Sequence, residues 1–160
     1  MLTTIARGRV FTFSHVVGRV GSFPPGFSYP NSITVAKDGT VYMICRAGTQ
    51  SNNKWYPYLS KISLGNGHGE GEYLGTIGWL GEEDGKFIWP SSVAIDKDGM
   101  IYVSDEYLQR ISVFDPDGNF LSKWGSKGNG PGQFMGPSGL AFDADNNLLV
   151  VDSLNHRIQR

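Results

Sequence analysis

An all-β fold made of repeated four-stranded antiparallel units is what this sequence predicts, and three observations predict it. The first is an ungapped internal repeat. YPNSITVAKDGTVYMICR from Tyr29, WPSSVAIDKDGMIYVSDE from Trp89 and GPSGLAFDADNNLLVVDS from Gly136 share one register, and a fixed period of this kind marks a repeat architecture. The second is the grammar of each copy, in which short apolar runs are separated by turn residues. The third is composition. Glycine is 22 of 160 residues and aromatics are 12%, a mixture suited to many short strands and tight turns, and no helical periodicity of useful length is present.

The elements follow in order along the repeat. Each copy opens on a proline, Pro30, Pro90 or Pro137, with an aspartate eight residues on, Asp38, Asp98 or Asp145, followed by Gly39, Gly99 or Asn146. The runs Ser32–Val35, Ser92–Ile95 and Gly139–Phe142 read as first strands buried on both faces. The Asp-Gly and Asp-Asn pairs read as hairpin turns, where Gly and Asn tolerate φ > 0. Val41–Ile44, Ile101–Ser104 and Leu148–Val151 are the returning strands. Arg110–Phe114 is a third strand, Asp115–Gly118 a turn, and Asn119–Trp124 a fourth. Upstream of each proline by three lies Phe27, Phe87 or Phe134, behind a glycine-rich link. Gly78, Gly85 and Phe87 are spaced like Gly125, Gly132 and Phe134, and Gly21, Gly26 and Phe27 read as a shortened version. Four antiparallel strands and a glycine-rich link to the next unit describe the blade of a β-propeller.

The divisions expected on this basis are four. Residues 1–26 are outer strands of a closing blade (Val10–Phe13 and Val16–Val20). Residues 27–86 are a first blade with two polar insertions, 87–133 a second blade, and 134–160 an incomplete third. At roughly 40–45 residues per blade, a ring of six needs on the order of 250 residues. The expectation is therefore an incomplete arc, completed by further blades of a longer parent or by self-assembly through heterologous contacts.

Composition also excludes. Fourteen Lys+Arg balance 15 Asp+Glu, so no field is set up for duplex nucleic acid. The single cysteine, Cys45, cannot form an internal disulfide. No apolar run is long enough for membrane insertion, and no apolar signal-peptide region is seen, because Arg7, Arg9, His15 and Arg19 interrupt the N-terminal stretch. A cytoplasmic location is the reading taken from this.

Candidate sites are few. Asp105/Arg110 and Asp152/Arg157 share a +5 spacing, and Asn155 sits between the second pair. Their recurrence with the repeat assigns them a structural role, an ion pair or turn-capping bond joining second and third strands. His15, His68 and His156 share no spacing, whereas zinc needs three or four converging ligands. Asp143–Asn147 (DADNN) has Ca²⁺-ligand chemistry but coincides with the hairpin turn of every unit. Gly125–Gly132 lacks phosphate-loop spacing and is the recurring link. The unusual cluster is Lys54, Trp55 and Tyr56, with Tyr58 and Lys61, in the first insertion. Aromatics interleaved with lysine can stack on ligands or pack on a protein partner. Lys54, Trp55, Tyr56 and His68 are the candidate partner-binding residues, and neither catalytic, cofactor-binding nor metal residues are assigned.

The residues resemble the NHL-repeat family. Its pattern is carried by Phe87, Pro90, Val93, Ala94, Ile95, Asp96, Gly99, Tyr102, Val103, Asp105, Arg110, Ile111 and Phe114 in the second unit. In the third it is carried by Phe134, Pro137, Gly139, Leu140, Ala141, Asp143, Val150, Asp152, Asn155, Arg157 and Ile158. The first unit departs from it at Ala36 and Cys45, and the second at Leu108, where the pattern has Asn. The resemblance implies an NHL-type β-propeller, usually of six blades; the repeat chemistry without a convergent reactive group leads to the expectation of a non-catalytic scaffold for a protein or small ligand. Two alternatives stay open: a lactonase or peptide-amidating lyase with Ca or Zn in the central channel, or an RNA-binding propeller. A lyase of that kind is expected to carry His near the starts of the inner strands, where this chain has Ser32, Ser92 and Ser138.

Overall fold

The computed structural model describes residues 3–14, 16–18, 26–46, 56–66 and 70–160. These form thirteen strands in chain order: β1 (Thr3–Ala6), β2 (Arg9–Thr12), β3 (Pro30–Val35), β4 (Val41–Cys45), β5 (Tyr58–Ser63), β6 (Glu72–Ile77), β7 (Pro90–Ile95), β8 (Ile101–Asp105), β9 (Arg110–Phe114), β10 (Phe120–Trp124), β11 (Pro137–Phe142), β12 (Leu148–Asp152) and β13 (Arg157–Gln159). A single 3₁₀ turn, Ser153–Asn155, lies before β13.

Three antiparallel sheets follow one another, ordered β3-β4-β5-β6, β7-β8-β9-β10 and β11-β12-β13. The register repeats with the sequence. Pro30 faces Cys45, Pro90 faces Asp105 and Pro137 faces Asp152, with a bulge after each proline. A bulge here is where an N–H-less residue can sit in a ladder. The turn glycines Gly39 and Gly99 both have φ 87° and Asn146 has φ 64°, so the turn chemistry read from the sequence is the conformation adopted.

Sheets stack face to face through two apolar layers. Tyr42, Ile44, Leu59 and Ile77 of the first sheet meet Val93, Ile101, Val103 and Phe114 of the second, with Phe87 of the link between them. Ile111, Phe134 and Val150, flanked by Tyr102, Leu140 and Leu148, join the second sheet to the third. The first strands β3, β7 and β11 run side by side along the inside of this arc.

Three expectations need correction. First strands are not all buried on both faces. β7 is, because it lies between two sheets, whereas Ile33 and Val35 of β3 are 61% and 59% exposed, since the described part of the first sheet has a neighbour on one side only. The N-terminal outer strands are shifted as well. β1 and β2 pair with each other as a tight hairpin turning at Arg7-Gly8, and Val16–Gly18 is not a strand. Lastly, the glycine that matches Gly78 and Gly125 is Gly18. A Cβ on Gly18, Gly78 or Gly125 would stand 2.1, 2.3 or 2.7 Å from the ring of Phe27, Phe87 or Phe134 respectively. Each φ is positive (106°, 68°, 105°). The link before the first sheet thus has the same nine-residue spacing as the others, and the shortened Gly21-based version is set aside. Gly21 itself lies outside the described residues.

Candidate functional site

In the second and third units the repeat polar residues hold the sheet to its link. The Asp105 carboxylate is fully buried. It accepts from the backbone N–H groups of Ile88 (2.8 Å), Trp89 (3.1 Å), Tyr107 (3.0 Å) and Leu108 (2.9 Å). Arg110 donates to the carbonyls of Glu82, Glu83 and Lys86 at 2.8–2.9 Å. Arg157 repeats this on Asn129, Gly130 and Gln133. In addition its Nε is 2.8 Å from Asp152 Oδ2. The two pairs differ for a reason legible in the sequence. Asn155 donates to Asp152 Oδ2 (2.9 Å) and helps hold that carboxylate toward Arg157. The second unit has Leu108 at this position, and there Asp105 turns to backbone donors while Arg110 Nε stays buried without a partner. Burial alone would raise the Asp152 carboxyl. The bonds from Asn155, the Met135 N–H, Arg157 and Gln159 outweigh it and hold it below the ordinary carboxylate range.

The inner strands are joined by serines. Ser32 Oγ accepts the Val93 N–H (3.2 Å) and Ser92 Oγ accepts the Leu140 N–H (3.1 Å). Each is a bond from one sheet's first strand to the next. Ladder register puts Gly139, not Ser138, at the matching place in the third sheet, because Leu140 faces Val150 as Val93 faces Val103. The Ser138 carbonyl instead accepts from Ser104 Oγ (2.6 Å). Asp143 caps its own hairpin through the N–H groups of Asn147 (2.8 Å) and Asp145 (3.0 Å). Among the described residues no group of three or more His, Cys, Asp and Glu is placed to hold a metal ion.

Residues peculiar to one unit gather on one rim, where first strands begin and second strands end. Arg46 Nη2 lies 3.2 Å from Glu106 Oε1, and its guanidinium stands 5.0 Å above the Trp89 ring. The Ser91 hydroxyl donates to Glu106, and Asn31 Nδ2 donates to the Ser91 carbonyl at 2.7 Å. Around this group Tyr29, Trp89, Tyr107 and Leu154 are 66%, 47%, 64% and 64% exposed. They come from all three sheets. Register explains why they share a rim: the N–H groups of Arg46, Glu106 and Ser153 donate to the carbonyls of Tyr29, Trp89 and Gly136, so residues just before a first strand adjoin those just after a second.

Of the residues named from the sequence, Tyr56 is half-buried beside β5, while Lys54, Trp55 and His68 lie outside the described residues. Tyr58 is core, its hydroxyl bonded to the Gly26 carbonyl at 2.8 Å. Lys61 reaches the Pro116 carbonyl (3.0 Å) on the opposite rim. His156 is an exposed residue with φ 54° after the 3₁₀ turn. Sequence reasoning missed Arg46, Trp89, Ser91 and Glu106. Their signal was a break in the repeat, since Arg46, Glu106 and Ser153 occupy one register position with three chemistries.

Comparison with known proteins agrees with this geometry. A family described as "6-bladed beta-propeller" matches residues 82–159. Among solved structures, the chain is similar to a catalytically inactive virginiamycin B lyase from Staphylococcus aureus with quinupristin. Identity there is 16%, with 81% of this chain and 36% of that one covered, and the TM-score is 0.53. This chain is an arc of a β-propeller. It is also similar to a protein of unknown function from Bacteroides caccae, at 14% identity over 82% of this chain and 44% of that one, TM-score 0.51. The arc therefore spans less than half the length of these relatives. No curated protein matches it in sequence. Among the described residues no helix is long and apolar enough to cross a membrane.

Proposed function

We propose that this arc belongs to an NHL-type propeller acting as a non-catalytic scaffold, and that the rim around Arg46 and Glu106 receives an extended segment of a partner protein. The observation that carries the reading is the exposure of Tyr29, Trp89, Tyr107 and Leu154 on one rim around a charged pair. Tyr, Trp and Arg are the side chains in which interface energy concentrates, and rigid aromatics lose little rotamer freedom on contact. The fate of the inner-strand serines supports a binding role. Ser32 and Ser92 hold neighbouring strands together, which suits a framework.

The test selects displayed random 12-residue peptides on the folded chain and measures their affinity for it and for Tyr107→Ala and Trp89→Ala. Circular dichroism and Tm verify that each variant is folded. Peptides whose Kd rises at least about tenfold on either variant support the rim, an effect of about 1.4 kcal/mol. Selection that returns no binder, or only binders indifferent to both substitutions, overturns it.

A further inference from the structure

The charged pair at the centre of the rim leaves a definite hydrogen-bonding capacity unused. Arg46 follows β4 and Glu106 follows β8, so the pair bridges two sheets that each have four strands. Glu106 Oε1 takes Arg46 Nη2 at 3.2 Å and also accepts the Ser91 hydroxyl. Ser91 is itself held: its hydroxyl lies 3.4 Å from Arg46 Nη2, and its carbonyl accepts from Asn31 Nδ2 at 2.7 Å. Arg46 Nε is enclosed, and the guanidinium stands 5.0 Å above the Trp89 ring. Among the described residues, Arg46 Nη1 and Glu106 Oε2 take part in no hydrogen bond. Both side chains reach solvent, at 25% and 36% exposure. The pair therefore offers one donor and one acceptor, and carries no net charge.

We infer that the Arg46–Glu106 pair is a recognition site for a primary carboxamide, supplied by an Asn or Gln side chain of the bound segment. The inference rests on the rim reading above and names the side chain that the rim selects. A carboxamide oxygen accepts from Nη1 while its N–H donates to Oε2, and a primary amide carries both groups on one edge. A trans backbone amide points them to opposite sides, so it satisfies only one of the two. An anion placed here meets Glu106 and a cation meets Arg46, and like charges in contact are strongly disfavoured. A neutral group with paired donor and acceptor escapes both. Trp89, Ser91 and Asn31 fix the pair beforehand, which lowers the ordering cost of binding.

The probes are benzamide, benzoate, benzamidinium and N-methylbenzamide, which share a ring and differ in the charge or N–H pattern of the head group. Binding is followed by NMR at the Trp89 indole N–H, whose resonance is assigned by its loss in Trp89→Phe. Benzamide should shift it saturably with a Kd of about 1–10 mM. The other three should bind at least about tenfold more weakly, the least that one hydrogen bond to a charged group contributes. Glu106→Gln should turn the preference to benzoate and Arg46→Gln should turn it to benzamidinium, with the remaining amide resonances verifying the fold. No saturable shift with benzamide, equal binding of the four probes, a charged probe preferred by the unchanged chain, or an order that neither substitution alters overturns the inference. Equal binding of benzamide and N-methylbenzamide overturns the side-chain assignment, since a backbone amide then suffices. The two readings fail separately. Peptides that bind the rim while the probes show no carboxamide preference overturn this inference alone. The expected probe order with no binding peptide supports the carboxamide site and removes the segment as its source.

Discussion

Replacing Asp152 by alanine isolates the interaction that ties the third sheet to its link. The carboxylate accepts four bonds: from the Met135 N–H (2.7 Å), Arg157 Nε (2.8 Å), Asn155 Nδ2 (2.9 Å) and Gln159 Nε2 (3.1 Å). It is fully buried, whereas the Arg157 side chain is 31% exposed. Removing one partner of a buried ion pair costs about 3–5 kcal/mol. The lower end applies here, because Arg157 keeps its three carbonyl partners and reaches water. A loss of about 3 kcal/mol is therefore expected, a large share of the 5–15 kcal/mol typical of a domain. Urea unfolding followed by tryptophan emission reads it as a lower midpoint at unchanged slope. A double-mutant cycle with Arg157→Ala should show a coupling of about 1–2 kcal/mol. A cost under about 1 kcal/mol, or strict additivity with Arg157→Ala, would refute the view that this carboxylate anchors the link.

Further expectations can be checked alongside. The folded Asp152 carboxyl lies below its unfolded value, so its contribution is complete above the ordinary Asp pKa of about 3.9 and is lost as pH falls through the folded value; the acid limb of a pH–stability curve should flatten in Asp152→Ala. Ser92→Ala removes the acceptor of the Leu140 N–H and should cost about 1–2 kcal/mol, with faster amide exchange at Leu140. Gly125→Ala combines a positive φ with a Cβ 2.7 Å from the Phe134 ring and 2.8 Å from the Gln109 carbonyl, so a loss of about 2 kcal/mol or more is expected in thermal unfolding. Phe87→Ala empties the middle of the first apolar layer and should cost about 3–5 kcal/mol by the same measurement.

Blade architecture was legible because its determinants are local and repeated. A proline at a bulge, an Asp-Gly turn and a phenylalanine nine residues after a glycine act within one unit, and β9 falls on the run Arg110–Phe114 read from the sequence. What could not be read depends on neighbours. Whether Ile33 is buried depends on a sheet on its far side. Whether Asp105 meets Arg110 depends on residue 108. The rim was hidden because Arg46, Trp89, Ser91 and Glu106 are brought together by the stacking of two sheets, with Arg46 and Glu106 60 positions apart in sequence. The N-terminal link was misplaced because Gly21 and Gly26 compete in sequence with Gly18, and only contact with Phe27 separates them.

The hand-over of a hydroxyl from Ser32 to Val93 and from Ser92 to Leu140 gives the arc a polarity. The middle first strand, β7, carries both the acceptor for the strand that follows it and the donor to the strand that precedes it. Gly139 holds no acceptor, so this relay stops at β11. Anything seated on the outer side of the third sheet would be aligned by side-chain shape without the polar pin that indexes the earlier joints. A serine introduced at Gly139 is the smallest edit that would extend the relay by one step.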